Sequence, residues 1–309
     1  MPQSSAPAPT VPAPALIGEE LVLRYGRTPV VHGVDVALRP GTVTALLGPN
    51  GSGKSTVLRA LARLHPLSGG EVRLQDQADG GPRERSTALL SPMELARAMT
   101  LFTQTRSSPQ GLAVREVVAF GRHPHRRRFA GLSPADRAAI DHAMALTGIT
   151  ALADRGVGEL SGGEMQRVWL ASCLAQDTGI VLLDEPTNHL DLRYQIETLD
   201  LVRDLAELHG TAVGIVLHDL DHAARIADQV LLLRRGEVHA AGGAAEVLTS
   251  EHLTAVYEIP VDVVQEPDTG RLRIDARGRH ARREQPGGDA AHRGDRTGDP
   301  ELSAAAARA

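Results

Sequence analysis

Apolar residues recur along this chain in two patterns. Short continuous runs at 43–47, 180–183 and 213–217, bounded by glycine, proline or acidic and polar residues, read as buried strands. Stretches at 57–64, 114–120, 132–146, 168–175 and 192–208 read as helices. Ahead of them, β-rich runs at 21–23, 30–38 and 43–47, separated by Tyr25-Gly26 and Arg39-Pro40-Gly41, suggest an antiparallel layer that feeds the last of the three strands. Residues 71–74 read as a strand and 75–85 as an exposed loop. Ser91-Pro92-Met93-Glu94 then places a cap, a proline and a capping glutamate in register for a helix start. From 112 to 152 the pattern is helical, which predicts a helical subdomain inserted into the β-containing core. Residues 230–233 and 237–240 read as a hairpin, followed by a helix at 244–249 and weak strands near Val261 and Leu272.

Composition adds limits. At 309 residues and 42% hydrophobic, the chain can bury the core of one large domain or two smaller ones. A net charge of −5 gives no reason to expect nucleic acid as the main partner. One cysteine, Cys173, excludes an internal disulfide, and its apolar neighbours favour an inert core thiol. No apolar run approaches the roughly 20 residues that span a bilayer. The expectation is a protein that is cytosolic, or peripheral to a membrane spanned by something else. Residues 1–15, rich in proline and alanine, read as a disordered leader and not a signal peptide, and residues beyond Ala276 as a disordered tail.

The candidate chemistry centres on Gly48-Pro49-Asn50-Gly51-Ser52-Gly53-Lys54-Ser55-Thr56, a glycine-rich loop between a strand and a helix. Such a loop wraps backbone N–H groups round phosphate oxygens, and the helix start adds unpaired donors. Lys54 would reach the β and γ phosphates, and the Ser55 hydroxyl would ligate a magnesium ion. Of the 33 basic residues Lys54 is the one lysine, so it stands where a compact ammonium is required and a planar guanidinium does not serve. Ser161-Gly162-Gly163-Glu164 opens a second helix with a capping serine, another anion-binding start. The run ending in Asp184-Glu185 carries two carboxylates at a strand end, one able to hold magnesium and the other to deprotonate an attacking water. His218 follows a further apolar strand, at the kind of carboxyl edge where open α/β sheets bind ligands. Tyr25 reads equally as half-buried packing or as a ring for a nucleotide base. His123 and His125 lack a nearby carboxylate or thiolate to complete a metal site, and residues 121–128 read as an exposed basic loop.

Together these residues closely resemble the ATPase subunit of an ABC transporter, over about residues 16–274 and through six motifs in order. The resemblance implies a P-loop NTPase core of α/β class, with an antiparallel β subdomain and a helical subdomain at about 110–175, all within an ATPase domain of residues 16–275. It makes Tyr25 the base-stacking aromatic, 48–56 the phosphate loop, Gln104 the glutamine that couples γ-phosphate and metal to the helical subdomain, and 160–166 the signature. It makes Glu185 the catalytic base, with Asp184 and its strand, the Asp191 loop and the switch histidine His218 completing the set. In that family two cassettes face head to tail with ATP between one phosphate loop and the other signature helix. The resemblance therefore implies a homodimer, Mg2+ with ATP, a groove for a helix of the transmembrane permease, an extracytoplasmic binding protein upstream, and a place on the cytoplasmic face of the membrane. Leu95-Ala96-Arg97, Gly121-Arg-His-Pro-His125, Leu174-Ala-Gln-Asp-Thr178 and residues 218–225 resemble the branch importing ferric siderophores, haem and cobalamin, with ferric-siderophore cassettes most similar.

Three other classes fit less well. A GTPase needs an Asn-Lys-x-Asp element, which a chain with one lysine lacks. Repair ATPases of the same type insert a long coiled coil, whereas Lys54 and Ser161 lie 107 positions apart without sustained heptads, and translation factors usually carry two cassettes. A non-hydrolysing binding module would not need both Asp184 and Glu185.

Overall fold

In the computed structural model, which describes residues 15–78, 81–103, 109, 111–126, 131–188 and 190–278, the chain opens with two long paired strands. β1 (Leu16–Tyr25) and β2 (Thr28–Leu38) run antiparallel, then β3 (Val43–Leu47) enters the core with all five residues buried and leads through 48–53 into α1 (Lys54–Leu61). β4 (Gly69–Ala78) and β5 (Gly81–Ser86) return to give an antiparallel sheet ordered β2-β1-β4-β5. Residues 75–78 and 81–85, expected as loop, are therefore strand. They were hard to read because they are polar: Arg73 on β4 pairs with Glu19 of β1 and lies 3.4 Å from Glu84 of β5, so charge and backbone pairing hold this edge where alternating apolar residues do not.

α2 (Pro92–Ala98) starts on the expected capping box, with Glu94 N–H donating to Ser91 Oγ and Ser91 N–H to the Glu94 carboxylate. β6 (Met99–Phe102) follows, then α3 (Val114–Val118), a 3-10 segment (Ala119–His125), α4 (Pro134–Leu146) and α5 (Gly162–Leu174). These helices share an apolar cluster of their own, with Val114, Val117, Val118, Ile140, Met144 and Val168 fully or almost fully buried. The basic loop is corrected at Arg122, which is buried with Nε donating to Asp136 at 2.9 Å and Nη1 to the Ala175 carbonyl; His123 and Arg126 are exposed as expected, and residues 127–128 lie outside the described residues. A charge run looks solvated until its partner is known, and this one sits fourteen residues away. His125 Nε2 contacts the Gln176 carbonyl at 2.8 Å, a local tie to the chain after α5.

The rest of the chain builds the main sheet. β7 (Ile180–Asp184), α6 (Leu192–Glu207), β8 (Ala212–Val216), α7 (Leu220–Ile226), β9 (Gln229–Arg234) and β10 (Glu237–Gly243) give the strand order β10-β9-β3-β8-β7-β6. All neighbours are parallel except β10 with β9. α8 (Ala244–Val247), α9 (Ser250–Tyr257) and the hairpin β11 (Val261–Gln265) with β12 (Leu272–Ala276) complete it. α7 and α9 are short helices that periodicity did not reveal. Register settles where the chemistry goes. Leu46 of β3 and Asp184 of β7 both pair with Val216 of β8, so three parallel strands end at one level and deliver 48–56, 184–185 and His218 to a single crevice. The expected leader and the tail beyond residue 278 lie outside the described residues.

Candidate nucleotide site

The phosphate loop follows from glycine geometry. Gly48 has φ +138°, and a Cβ there would lie 2.1 Å from the Leu233 carbonyl oxygen. Gly53 has φ +101° at the N-cap of α1, where no side chain occupies the first-turn N–H groups. Ser52 Oγ is buried without a hydrogen-bond partner among the described residues, a polar atom suited to a phosphate oxygen. Pro49, Asn50 and Gly51 line the mouth of the loop beside Arg234 and Arg235, and Thr56 lies buried in the first turn of α1.

Lys54 is 5% exposed and donates to the carbonyls of Gly48 (2.8 Å) and Pro49 (3.0 Å). Burial lowers its pKa, while the carboxylates of Glu185 and Asp184 raise it in opposition. The ammonium therefore belongs electrostatically to the same site as the two acids at the end of β7. Ser55 Oγ donates to Asp184 Oδ1 at 2.7 Å, and Arg59 Nη2 lies 3.2 Å from Asp184 Oδ2. A hydroxyl and a carboxylate meeting from two elements are hard oxygen donors of the kind magnesium takes, so the donor set fits the expected ion.

Glu185 is the first residue beyond β7 and adopts φ +54°, a left-handed conformation rare for a side chain of this size. Its N–H donates to Val216 O at 3.2 Å, fixing the backbone to β8. One carboxylate oxygen lies 2.5 Å from His218 Nε2, and the other accepts from the Asn188 side-chain amide. The carboxylate is thus gripped from two sides and aimed into the crevice beside Lys54. Asn188 was not among the site residues the sequence offered, which took only Asp191 from the loop after Glu185; nothing in its own neighbourhood marks it as a partner of that carboxylate.

The second glycine motif lies elsewhere. Ser161 and Gly162 are exposed at the start of α5, with Ser161 Oγ accepting from Glu164 N–H and the Glu164 carboxylate accepting from Ser161 N–H. That hydrogen bond to Ser161 is the main reason the Glu164 carboxyl is held below its ordinary pKa. Gly163 faces Leu190, and Gln166 donates to the Pro186 carbonyl at 2.5 Å, so α5 abuts the segment after Glu185. Asp191 caps α6 by accepting from Tyr194 N–H. Tyr25 is 52% exposed at the tip of the β1–β2 turn, and Gln104 lies outside the described residues. Lys54, Ser55, Asp184, Glu185 and His218 are brought together, while Ser161–Glu164 belong to the helices of the separate cluster.

Comparison with known proteins gives a consistent pattern. Residues 31–188 match the model of the ABC transporter family. The chain is 40% identical over 266 residues to the ferric enterobactin transport ATP-binding protein of Escherichia coli, covering 86% of this chain and 95% of that one. It is 38% identical over 257 residues to the iron(3+)-hydroxamate import ATP-binding protein of Bacillus subtilis (83% and 93% covered). It is 44% identical over 274 residues to the hemin import ATP-binding protein of Streptomyces coelicolor (86% and 93%). Among solved structures, an inward-facing metal-chelate type ABC transporter aligns with a TM-score of 0.73 at 28% identity, covering 86% of this chain and 98% of that one. A dimeric bacterial ABC transporter cassette aligns at 0.63 with 26% identity, over 74% and 98%.

Proposed function

We infer cargo, assembly and residue roles from one premise: this chain belongs to the ABC transporter family and is an ATP-hydrolysing subunit of it. The proposed function is to power import of an iron(III)-siderophore complex through a separate transmembrane permease. The observation that carries the ATPase chemistry is the convergence of Lys54, Ser55, Asp184, Glu185 and His218 at the ends of three parallel strands.

In this reading Lys54 leaves the carbonyls of Gly48 and Pro49 for the β and γ phosphates. Gly48, Pro49, Asn50, Gly51, Ser52, Gly53 and Thr56 wrap the phosphate chain, and Tyr25 stacks on the base. Ser55 and Asp184, with Gln104, would hold Mg2+, which would neutralise charge on the phosphates. Glu185 orients and deprotonates water, and His218 and Asn188 fix its carboxylate. Hydrolysis then yields ADP and phosphate.

Exposure of Ser161 and Gly162, away from the phosphate loop, supports a homodimer in which Ser161, Gly162, Gly163 and Glu164 of one copy complete the site of the other. The segment to Asp191 would lie at that junction. Among the described residues no helix is long and apolar enough to cross a membrane. A groove between the main sheet and the helical cluster, with Leu64, Phe120 and Met99 among its lining, offers an apolar seat for a helix of the permease. We therefore place the subunit at the cytoplasmic face of the membrane, supplied indirectly by an extracytoplasmic binding protein.

The siderophore reading draws on the enterobactin and hydroxamate relatives; the hemin relative at 44% identity favours haem as the second reading, and a cobalamin import protein of Halobacterium salinarum is 40% identical. The test is the chain reconstituted with its permease in liposomes, with binding protein loaded with ferric siderophore, haem or cobalamin. Iron uptake with ATPase stimulation by ferric siderophore supports the proposal; stimulation by haem or cobalamin alone replaces the cargo.

A further inference from the structure

Tyr25 and His65 meet edge to face, with ring centroids 4.7 Å apart and planes 79° apart. Their surroundings differ. Tyr25 is 52% exposed on the β1–β2 turn, so its ring has a side open to solvent. His65 is 8% exposed, although Leu64 before it is 68% exposed. Its Nδ1 lies 2.9 Å from the Pro66 carbonyl oxygen, an acceptor to which the ring N–H donates, which fixes the ring's orientation. The segment that presents His65 is itself anchored: Leu64 N–H donates to Arg59 O at 2.8 Å, and the Arg63 guanidinium donates to the carbonyls of Thr87 and Leu90, both at 2.7 Å.

α1 joins the two ends of the problem. It begins at Lys54 and ends at Leu61, a rigid rod of about 12 Å at 1.5 Å per residue, and His65 follows its final turn. A base platform at the tip of a β-hairpin would move with that tip. Through His65 the tyrosine ring is instead referred to the helix that carries the phosphate lysine.

We propose that His65 is a positioning residue for the nucleotide base: it braces the back of Tyr25 so that the ring is held at a fixed place relative to the phosphate loop. The inference rests on the reading of Tyr25 as the base's stacking partner. His65 touches neither phosphate nor water in this role, and its substitution should weaken recognition of the base while sparing chemistry.

The experiment compares wild type, Tyr25→Ala, His65→Ala and His65→Phe in the full chain, measuring steady-state ATPase and competitive inhibition by inorganic tripolyphosphate, which has no base. His65→Ala should raise KM for ATP about two- to tenfold, the worth of an aromatic pair, with kcat and tripolyphosphate inhibition unchanged. His65→Phe, which keeps the edge-to-face contact, should restore KM. Wild-type KM in His65→Ala, where Tyr25→Ala raises it, overturns the brace. Equal weakening of ATP and tripolyphosphate also overturns it, because the defect would then lie in the phosphate loop or the fold. Wild-type KM in Tyr25→Ala removes the base-platform reading and the brace with it.

Discussion

His218 Nε2 lies 2.5 Å from Glu185 Oε1, a contact between residues that follow the adjacent strands β8 and β7. With Asn188 on the other carboxylate oxygen and φ at +54°, the glutamate is held in one orientation by side chain and backbone together. Glu185→Gln keeps the size and the amide partners but cannot take a proton. It should retain ATP binding, lose about two to four orders of magnitude in turnover, and accumulate an ATP-bound dimer on a sizing column. Normal turnover in the purified variant would remove Glu185 as the base.

Lys54 predicts the effect of a conservative exchange. Its buried ammonium fits between two carbonyl oxygens at 2.8 and 3.0 Å, a space shaped for a point charge and not for a planar fork. Lys54→Arg should lower kcat/KM by about a hundredfold or more, as expected for loss of a charge aimed at the transferring phosphoryl group. Wild-type ATP affinity and turnover would refute the placement.

Gly48 offers a test of the loop backbone. A methyl group there would press on the Leu233 carbonyl oxygen of β9, which is backbone and cannot swing aside. Gly48→Ala should lower Tm by about 5 °C or more through strain and clash, and weaken ATP binding in the same sample. Calorimetry and equilibrium dialysis give the two numbers, and an unchanged pair would contradict the loop geometry.

The buried Arg122–Asp136 pair predicts an acid limb of stability. The Ser133 hydroxyl first, then the Ser133 N–H and Arg122, pull the Asp136 carboxyl from an ordinary 3.8 to about 2. A carboxyl depressed in the folded state contributes stability that is fully present above 3.8 and lost as pH falls toward 2. Urea melts of Asp136→Asn should therefore vary less over that window than those of the wild type. Arg122→Ala, which strands a buried carboxylate, should cost about 3–5 kcal/mol at neutral pH.

The parts legible in the sequence are those that one stretch of chain specifies alone. The Val43–Leu47 strand, the glycine loop and the capping boxes at Ser91 and Ser161 each carry their cause within a few residues, and the structure has them where expected. The α/β cassette fold came with the family resemblance that six ordered motifs carry. What stayed hidden depends on partners distant in sequence: β5 is held by pairing with a polar neighbour, Arg122 by Asp136, and His65 by a tyrosine forty residues earlier. Short helices such as α7 and α9, of seven and eight residues, offer too few turns for periodicity to declare itself. Glu185 was recognisable as an acid at a strand end, but its left-handed backbone and its grip by Asn188 exist only in three dimensions.

Trp169 on α5 packs against both the main apolar cluster and the separate cluster of the helical region. It is the chain's one indole. Because the ring touches both clusters, its intrinsic emission is a built-in optical gauge of how the helical region sits against the sheet, requiring neither label nor mutation.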